Sequence, residues 1–397
     1  MYYLRDIERK IKQNIDNDYI LLLLGARQVG KTTVIRKFYE LLNDKNQCFF
    51  INLENPEYKA LLNQHPENLF KIIGASVAKE KIFIFIDEIQ YLDNPTNFLK
   101  FIYDEYKTKV KLIVTGSSAF YIDNKFKDSL SGRKKIFNLY TLNFGEFLEF
   151  KGEKQIYKIL SGKKDLPLIY KQKFDLLFSE YITYGGYPRV VLEESFDEKK
   201  NILEAMSYDY IKKDIYESKI SDEEKYFSLM KILAHQCGGL VNANELSSIL
   251  GLSQPTIENY LYVMQKSFHI ALVNPFYKNI RKEISKMKKV YFYDLGLRNQ
   301  LIGNFQNIEF RSDKGEYLEN IFFKEFLFKE KINSIKYWRT INQNEVDFII
   351  NEKHAFEIKF SEKLIKQSKY KLFKEKFPDI DLEFVTFNSL KEKYIYV

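Results

Sequence analysis

A glycine-rich segment, Gly25–Thr32, most constrains what this chain can fold into. It matches the P-loop pattern G-x-x-x-x-G-K-[ST] at every fixed position. The apolar run Tyr19–Leu24 precedes it and predicts a buried strand, and Thr33–Leu42 follows with apolar residues at helical spacing. A strand, a glycine loop and a helix N-terminus form a cradle of backbone N–H groups for a phosphate chain. The alternative is an ordinary glycine turn that matches by chance.

Two side chains of this loop have predicted tasks. Lys31 is expected to reach the β- and γ-phosphates of a nucleotide, and the Thr32 hydroxyl is expected to ligate Mg²⁺. Lys31 is therefore also a candidate catalytic residue. The candidate cofactor-binding residues are Gly25, Arg27, Gln28, Val29, Gly30, Lys31, Thr32 and Thr33.

The length, charge and cysteine content set coarse limits. With 397 residues the chain exceeds one compact core, so two or three domains are expected. The net charge of +8 fits a polyanionic partner, and it fits skewed lysine usage at least as well. The two cysteines, Cys48 and Cys237, lie far apart and form no C-x-x-C pair. They therefore indicate neither a zinc site nor a disulfide, in keeping with a reducing cytoplasm.

The sequence contains no membrane or secretion signal. Residues 1–10 are charged and lack the apolar core of a signal peptide. No run approaches the ~20 apolar residues of a membrane span. We therefore expect a soluble, cytoplasmic protein without a membrane partner.

Two carboxylates follow a second buried strand. Ile82–Ile86 is uninterrupted apolar sequence, and Asp87 and Glu88 come directly after it. In parallel α/β sheets, ligands collect at the carboxyl ends of the strands. Asp87 is therefore a candidate Mg²⁺ ligand together with Thr32, and Glu88 is the candidate base or orienting group for the attacking water.

Two further elements complete the nucleotide-site prediction. The strand Val110–Val114 ends in small hydroxyl residues, among them Ser117, which can contact a γ-phosphate or its attacking water. A helix N-cap cluster is the alternative for Ser117 and its neighbour Ser118. Arg133 can stabilise transition-state charge, on its own nucleotide or on that of a neighbouring copy. A solvated surface arginine is the alternative there.

These segments, in this order and spacing, resemble AAA+-type P-loop ATPases. The resemblance implies ATP and Mg²⁺ as cofactors, and an arginine finger at Arg133 would imply self-association. The chain resembles more narrowly a group of prokaryotic AAA ATPases with a C-terminal domain of unknown function. Thr141 and Asn143 depart from that group's usual proline and serine. The blocks that carry this closer resemblance are Leu139–Phe147, Tyr184–Pro188 and Val290–Arg298.

The middle of the chain predicts helices around a tight turn. Glu224–His235 and Asn244–Leu250 read as amphipathic helices, and Ser253 can cap a third. With a wing strand at Phe268–Val273, this pattern is typical of a winged helix. The candidate partner is DNA, with a protein partner as an equal alternative.

The charges of this region bear on the choice of partner. The recognition face offers Gln254, Thr256, Glu258 and Asn259, none of them basic, so it alone would bind phosphate poorly. The segment 278–289 carries six basic residues and is the candidate electrostatic footprint for DNA. A solvated lysine-rich loop is the alternative.

The last third contains a second group of candidate site residues. Glu319 lies on a predicted helix, Asp347 begins a predicted strand, and Glu357 and Lys359 share one face of the next strand. This order resembles the PD-(D/E)xK nuclease superfamily, and two carboxylates with a lysine can hold Mg²⁺ for phosphodiester attack. An edge-strand salt bridge between Glu357 and Lys359, which would contribute little energetically, is the alternative.

The sequence thus predicts an α/β chain: a P-loop NTPase with a parallel sheet, a winged-helix-like helical region, and a small α/β nuclease-like domain. The leading functional hypothesis is Mg²⁺-dependent ATP hydrolysis coupled to the C-terminal domains. The alternatives are a DNA nuclease with ATP as a switch, and a nucleotide-binding interaction module with a degenerate nuclease fold. The predicted domains are the ATPase at 1–150, a helical linker or lid at 151–222, the winged-helix-like domain at 223–285 and the nuclease-like domain at 286–397.

Overall fold

The chain divides into two compact units. The computed structural model describes residues 2–74, 81–117, 130–162, 164–277, 283 and 286–395. Unit 1 comprises residues 1–140 and 266–268, and unit 2 comprises residues 141–265 and 269–397. The four-part division drawn from the sequence stays a prediction.

Unit 1 is built around a five-stranded parallel sheet with the order β2-β3-β4-β1-β5. This confirms the predicted α/β class and parallel sheet. The elements of unit 1 are α1 (Ile7–Lys12), β1 (Ile20–Leu24), α2 (Lys31–Asn43), β2 (Cys48–Asn52), α3 (Pro56–Gln64), α4 (Asn68–Ile73), β3 (Ile82–Asp87), α5 (Pro95–Tyr106), β4 (Val110–Gly116) and β5 (Lys134–Asn138).

The three inner strands of this sheet explain where its site lies. Every residue of β1, β3 and β4 is buried, as expected for strands covered on both faces. Their runs of Leu, Ile, Val and Phe supply that burial. Because the strands are parallel, Gly25, Asp87 and Gly116 all come to the same, carboxyl edge of the sheet.

Unit 2 begins with helices and ends with a mixed sheet. Its helices are α6 (Phe144–Phe150), α7 (Lys154–Ser161), α8 (Leu168–Tyr184), α9 (Pro188–Leu192), α10 (Phe196–Glu217), α11 (Glu223–His235), α12 (Ala243–Leu250), α13 (Gln254–Lys266), α14 (Leu295–Ile302), α15 (Lys314–Lys329), α16 (Lys371–Lys376) and α17 (Phe387–Ser389). Its strands are β6 (Leu240–Val241), β7 (Ile270–Pro275), β8 (Lys288–Phe292), β9 (Ile335–Arg339), β10 (Glu345–Ile350), β11 (His354–Lys359) and β12 (Asp381–Thr386).

These strands form one continuous sheet with the order β12-β11-β10-β9-β7-β8-β6. The hairpin β7–β8 joins the last four strands through a short parallel pairing, Asn274 with Lys336 and Pro275 with Tyr337. Because β8 pairs with β7 and β6, the sheet runs across the predicted domain boundary at residue 285. The predicted wing strand begins later than expected, at Ile270, since Phe268 adopts a positive φ of 60°.

The three sequence blocks named above are connected through Asp294 and Gly186. The Asp294 carboxylate, 2 % exposed, accepts hydrogen bonds from the Gly186 N–H at 2.8 Å and the Leu297 N–H at 3.1 Å. The Lys324 ammonium lies 3.7 Å from the same carboxylate, and burial lowers the pKa of this lysine. The Leu142 N–H in turn donates to the Gly186 carbonyl at 2.7 Å. Hydrogen bonds between these blocks therefore hold distant parts of unit 2 together.

Among the residues that the structure describes, no helix is both long and apolar enough to cross a membrane.

Candidate functional site

The glycine loop at the carboxyl end of β1 requires its glycines for steric reasons. A Cβ on Gly25 would lie 2.1 Å from the Leu139 carbonyl oxygen, which backbone atoms cannot avoid. Gly30 has a φ of 99°, the left-handed region that favours glycine, and it caps the start of α2. Gln28 also has a positive φ, 56°, so the loop is tightly coiled. Arg27 and Val29 complete the loop, and Thr33 lies in the first turn of α2.

Arg5 supports this loop from the N-terminal segment, a role that the sequence did not reveal. Its guanidinium donates to the Val29 carbonyl at 2.8 Å and to the Tyr140 carbonyl at 2.9 Å. The side chain is only 4 % exposed. Arg5 thus ties the loop to the chain that follows β5.

If the loop binds ATP, as its pattern predicts, replacing Arg5 with Met is expected to weaken that binding. The change leaves the Val29 carbonyl without its donor, at a cost of about 1–3 kcal/mol, so the Kd for ATP rises on the order of tenfold. Titration with a fluorescent ATP analogue measures this, and Arg9→Met, an exposed arginine on α1, is the matched control. An unchanged Kd in a folded Arg5→Met protein would show that this anchor does not shape the loop.

Lys31, Thr32 and Asp87 lie together next to the loop. The Lys31 ammonium donates to the Gly25 carbonyl at 3.0 Å and to the Ala26 carbonyl at 2.8 Å, so it points into the loop. The Thr32 hydroxyl donates to Asp87 Oδ2 at 2.7 Å. Burial raises the pKa of Asp87, while hydrogen bonds from Thr115 and Thr32 act against that rise. A hydroxyl beside a carboxylate is the hard oxygen donor set that Mg²⁺ prefers, so these residues fit the predicted metal.

Glu88 is held in a strained conformation by its neighbours. It adopts a φ of 59°, which is unusual for a residue other than glycine, and its N–H donates to the Thr115 hydroxyl at 3.0 Å. The Gln90 amide donates both to the Glu88 carboxylate and to the Ser117 hydroxyl, the latter at 2.7 Å. Gln90, which the sequence did not single out, therefore connects two predicted site residues.

Arg133 lies away from this site. It precedes β5, whose residue Lys134 pairs with Ile20 at the start of β1, whereas the glycine loop follows the end of β1. At about 3.3 Å per residue the length of β1 separates them. Arg133 pairs with Asp104 at 2.7 Å, which raises the pKa of the arginine. Action of Arg133 on the nucleotide of its own chain does not fit this placement. Action on a neighbouring copy stays a prediction, beside the alternative of a solvated surface arginine. Ser118 lies outside the described residues.

The second predicted group does come together, in unit 2. The Lys359 ammonium contacts the Glu357 carboxylate and lies 3.8 Å from Asp347 Oδ2. Asp347 Oδ2 also accepts from the Ile358 N–H at 2.8 Å, and Tyr370 donates to Glu357 Oε1 at 2.6 Å. Burial, together with the neighbouring Asp347 carboxylate, raises the pKa of Glu357 to about 7. The edge-strand alternative considered from the sequence is wrong about the strand, because β11 pairs with both β10 and β12, although the salt bridge between Glu357 and Lys359 is present.

A lysine that the sequence assigned to the basic segment lies among these carboxylates. The Lys289 ammonium, on β8, is 3.2 Å from Glu319 Oε2, 2.5 Å from Glu345 Oε1 and 3.5 Å from Asp347 Oδ1. Burial lowers the pKa of Lys289, but Glu319 and its neighbours outweigh burial and hold that pKa well above its usual value. Lys289 is therefore not available to contact DNA. Residues 278–282, 284 and 285 of the predicted footprint lie outside the described residues.

Two family models match parts of the chain. Residues 17–148 match the AAA domain, and residues 175–307 match a domain described as "Domain of unknown function (DUF8612)". Both matches end before Glu319, so they do not bear on the nuclease-like residues.

The similar proteins give no activity by name. An uncharacterized protein of Haemophilus influenzae is 26 % identical over 350 residues, which is 84 % of this chain and 80 % of the relative. The uncharacterized protein MJ1544 of Methanocaldococcus jannaschii is 27 % identical over 404 residues, 97 % of this chain and 85 % of the relative.

Two solved structures align with this chain at low similarity. The Thermotoga maritima RuvB Holliday junction branch migration motor has a TM-score of 0.35 and 16 % identity, covering 67 % of this chain and 88 % of that one. Cdc6p from Pyrobaculum aerophilum has a TM-score of 0.34 and 12 % identity, covering 76 % and 95 %. Scores below 0.5 do not establish a shared fold, so these two structures carry no weight for this chain. Residues 17–148 are similar to the AAA domain. With their parallel sheet and glycine loop, they form an AAA+-type, P-loop ATPase-like fold.

Proposed function

We propose that this protein binds ATP with Mg²⁺ at the glycine loop of unit 1 and hydrolyses it. The contact that supports this most is the one between the Thr32 hydroxyl and Asp87 Oδ2, at 2.7 Å. It brings two oxygen ligands suited to Mg²⁺ beside the N-terminus of α2, where anionic phosphates are stabilised. The match of residues 17–148 to the AAA domain supports the same proposal.

Each residue of the site has a task in this proposal. Loop N–H groups and the Lys31 ammonium would bind the phosphates, and Thr32 with Asp87 would hold Mg²⁺. The metal supplies positive charge that offsets charge on the phosphate oxygens. Glu88 would orient the attacking water or accept its proton, and Gln90 would fix the Glu88 carboxylate in that position.

Ser117 has a supporting part in the same proposal. It is 1 % exposed, and its N–H donates to Gln90 Oε1 at 3.3 Å while its hydroxyl accepts from the Gln90 amide. Ser117 at the end of β4 thus holds Gln90 by two bonds. Through Gln90, Ser117 would help to hold the Glu88 carboxylate in position.

We further infer a winged-helix-like module in unit 2. Helix α11, strand β6, helices α12 and α13, and the antiparallel hairpin β7–β8 follow one another in that order, with β6 paired to β8. On the predicted recognition helix, Gln254 donates to Glu258 at 2.8 Å, and Glu258 would repel phosphate. DNA therefore enters as a partner to be tested, not as part of the mechanism. DNA cleavage is not proposed, because the Lys289 ammonium already lies among Glu319 and the other carboxylates that would hold the metal.

One assay on the full-length chain tests the proposal. Phosphate release from ATP is measured with Mg²⁺, with EDTA in its place, and with single- or double-stranded DNA added. We expect turnover that requires Mg²⁺, and DNA that stays intact on a gel. Stimulation by DNA would support the DNA partner. A full-length chain that releases no phosphate from ATP in the presence of Mg²⁺, with or without DNA, would contradict the proposal.

A further inference from the structure

Four carboxylates of unit 2 form one group, here called the carboxylate cluster, in which two are buried and two are partly exposed, at 16 % and 23 %. Glu345 and Asp347 lie on one face of β10, since they are two residues apart. Glu357 lies on the adjacent strand β11, and Glu319 lies on α15. Three elements thus direct acids to one place, which is unfavourable unless cations balance them. The members of the cluster are Glu319, Glu345, Asp347 and Glu357.

Three cationic side chains of the chain itself balance this cluster. Lys289 contacts Glu319, Glu345 and Asp347, as described above. Lys359 contacts Glu357 and Asp347, and Arg339 contacts Glu345 at 2.8 Å. Every carboxylate of the cluster therefore already has at least one cation beside it.

Lys289 differs from the other two cations in its burial and its origin. Its side chain is 2 % exposed, compared with 28 % for Lys359 and 34 % for Arg339. It comes from β8, which pairs with β6 and β7 rather than with the strands that carry the acids. An unpaired ammonium buried there would be strongly unfavourable, so Lys289 and the carboxylates stabilise one another.

The cluster does not fit a divalent metal. Mg²⁺ takes about six oxygen ligands at close range. Asp347 already has Lys289 on Oδ1 and both Lys359 and the Ile358 N–H on Oδ2. Of the buried side-chain oxygens in the cluster, Glu357 Oε2 is the one without a hydrogen-bond partner. Within the described residues, no group of three or more His, Cys, Asp or Glu side chains could hold a metal ion.

We propose that the Lys289 ammonium is the resident cation of the carboxylate cluster and occupies the place that a divalent metal would take in a nuclease. The cluster is then an ion-pair joint that connects β8 to β10 and α15. This differs from the function proposed for unit 1 and does not depend on it. It also assigns Lys289 a role that the D…E-x-K pattern of the sequence does not contain.

Mn²⁺ binding to the full-length chain, without nucleotide, tests this by calorimetry. We expect wild type and Asp347→Asn to bind the same number of Mn²⁺ ions, because the cluster holds none. Lys289→Met removes the competing ammonium and is expected to bind about one additional Mn²⁺ per chain, which also raises its thermal midpoint. That gain should vanish in Lys289→Met/Asp347→Asn. Lys288→Met, the neighbouring residue of β8, is the matched control and should behave as wild type.

Two results would overturn the proposal. The first is a wild-type Mn²⁺ site that Asp347→Asn removes, since the metal and Lys289 would then coexist. The second is a folded Lys289→Met protein that gains no Mn²⁺. Should Lys289→Met fail to fold, the comparison of wild type with Asp347→Asn still decides, and equal binding there supports Lys289 as the required cation.

Discussion

ATP turnover is expected to fall by about 10²- to 10⁴-fold when Glu88 is replaced with Gln, whereas ATP binding should persist. The amide has the shape of the carboxylate, and its oxygen can still accept the hydrogen bond from Gln90, so the site geometry is kept. It cannot accept a proton or carry the charge that orients the attacking water. Single-turnover phosphate release and equilibrium ATP binding, measured on the same preparation, separate the two effects. Glu105→Gln, the same change at an exposed position of α5, is the control.

Lys31→Ala provides the contrasting result for the same site. It removes the ammonium that lies within the loop, so both ATP binding and turnover should be lost. If turnover persists in Lys31→Ala, the assignment of the loop is wrong. If Glu88→Gln loses binding together with turnover, Glu88 acts on the structure of the site and not on the water.

Asp294→Ala is expected to lower the free energy of unfolding of unit 2 by about 3–5 kcal/mol. The change leaves the N–H groups of Gly186 and Leu297 without an acceptor and the buried Lys324 ammonium without its carboxylate. Such a loss is a large part of the stability of an ordinary domain, so unit 2 should open far more often.

The two cysteines report this opening unit by unit. Cys237, in unit 2, is 1 % exposed, and burial raises the pKa of its thiol to about 12. In Asp294→Ala its labelling by a thiol reagent should accelerate on the order of 10²- to 10³-fold. Cys48, also buried but in unit 1, should keep its rate and serves as the internal control. Asp209→Ala, at an exposed position of α10, should change neither rate. Equal acceleration of both thiols would mean that the carboxylate does not act locally in unit 2.

The parts of the site that lie in local sequence patterns could be predicted. The glycine loop, the strand Ile82–Asp87 and the strand Val110–Gly116 each have a pattern a few residues long. Parallel pairing then brings their ends to one edge without any further information. The residues that meet there, Lys31, Thr32 and Asp87, follow from that rule.

The supporting residues could not be predicted, because their contacts span long distances in sequence. Arg5 reaches Tyr140, 135 residues away, and Asp294 reaches Gly186, 108 residues away. The sequence indicated Lys289 only as one member of a basic segment, because counting charges cannot distinguish a buried ion pair from a solvated lysine. Arg133 was placed by order along the chain, which does not say at which end of the sheet it lies.

The two sheets differ in how early each can fold during translation. The sheet of unit 1 draws all five strands from residues 20–138, so it can assemble while most of the protein is still untranslated. Unit 2 cannot fold as early, because its N-terminal residues contact residues that are synthesised much later. Gly186, which bonds to Leu142, needs Asp294, and strand β7 pairs with β9. A nascent chain therefore carries a complete glycine loop while the helices of unit 2 still lack their partners. If the glycine loop binds ATP as proposed, the nucleotide can bind during translation, before unit 2 has folded.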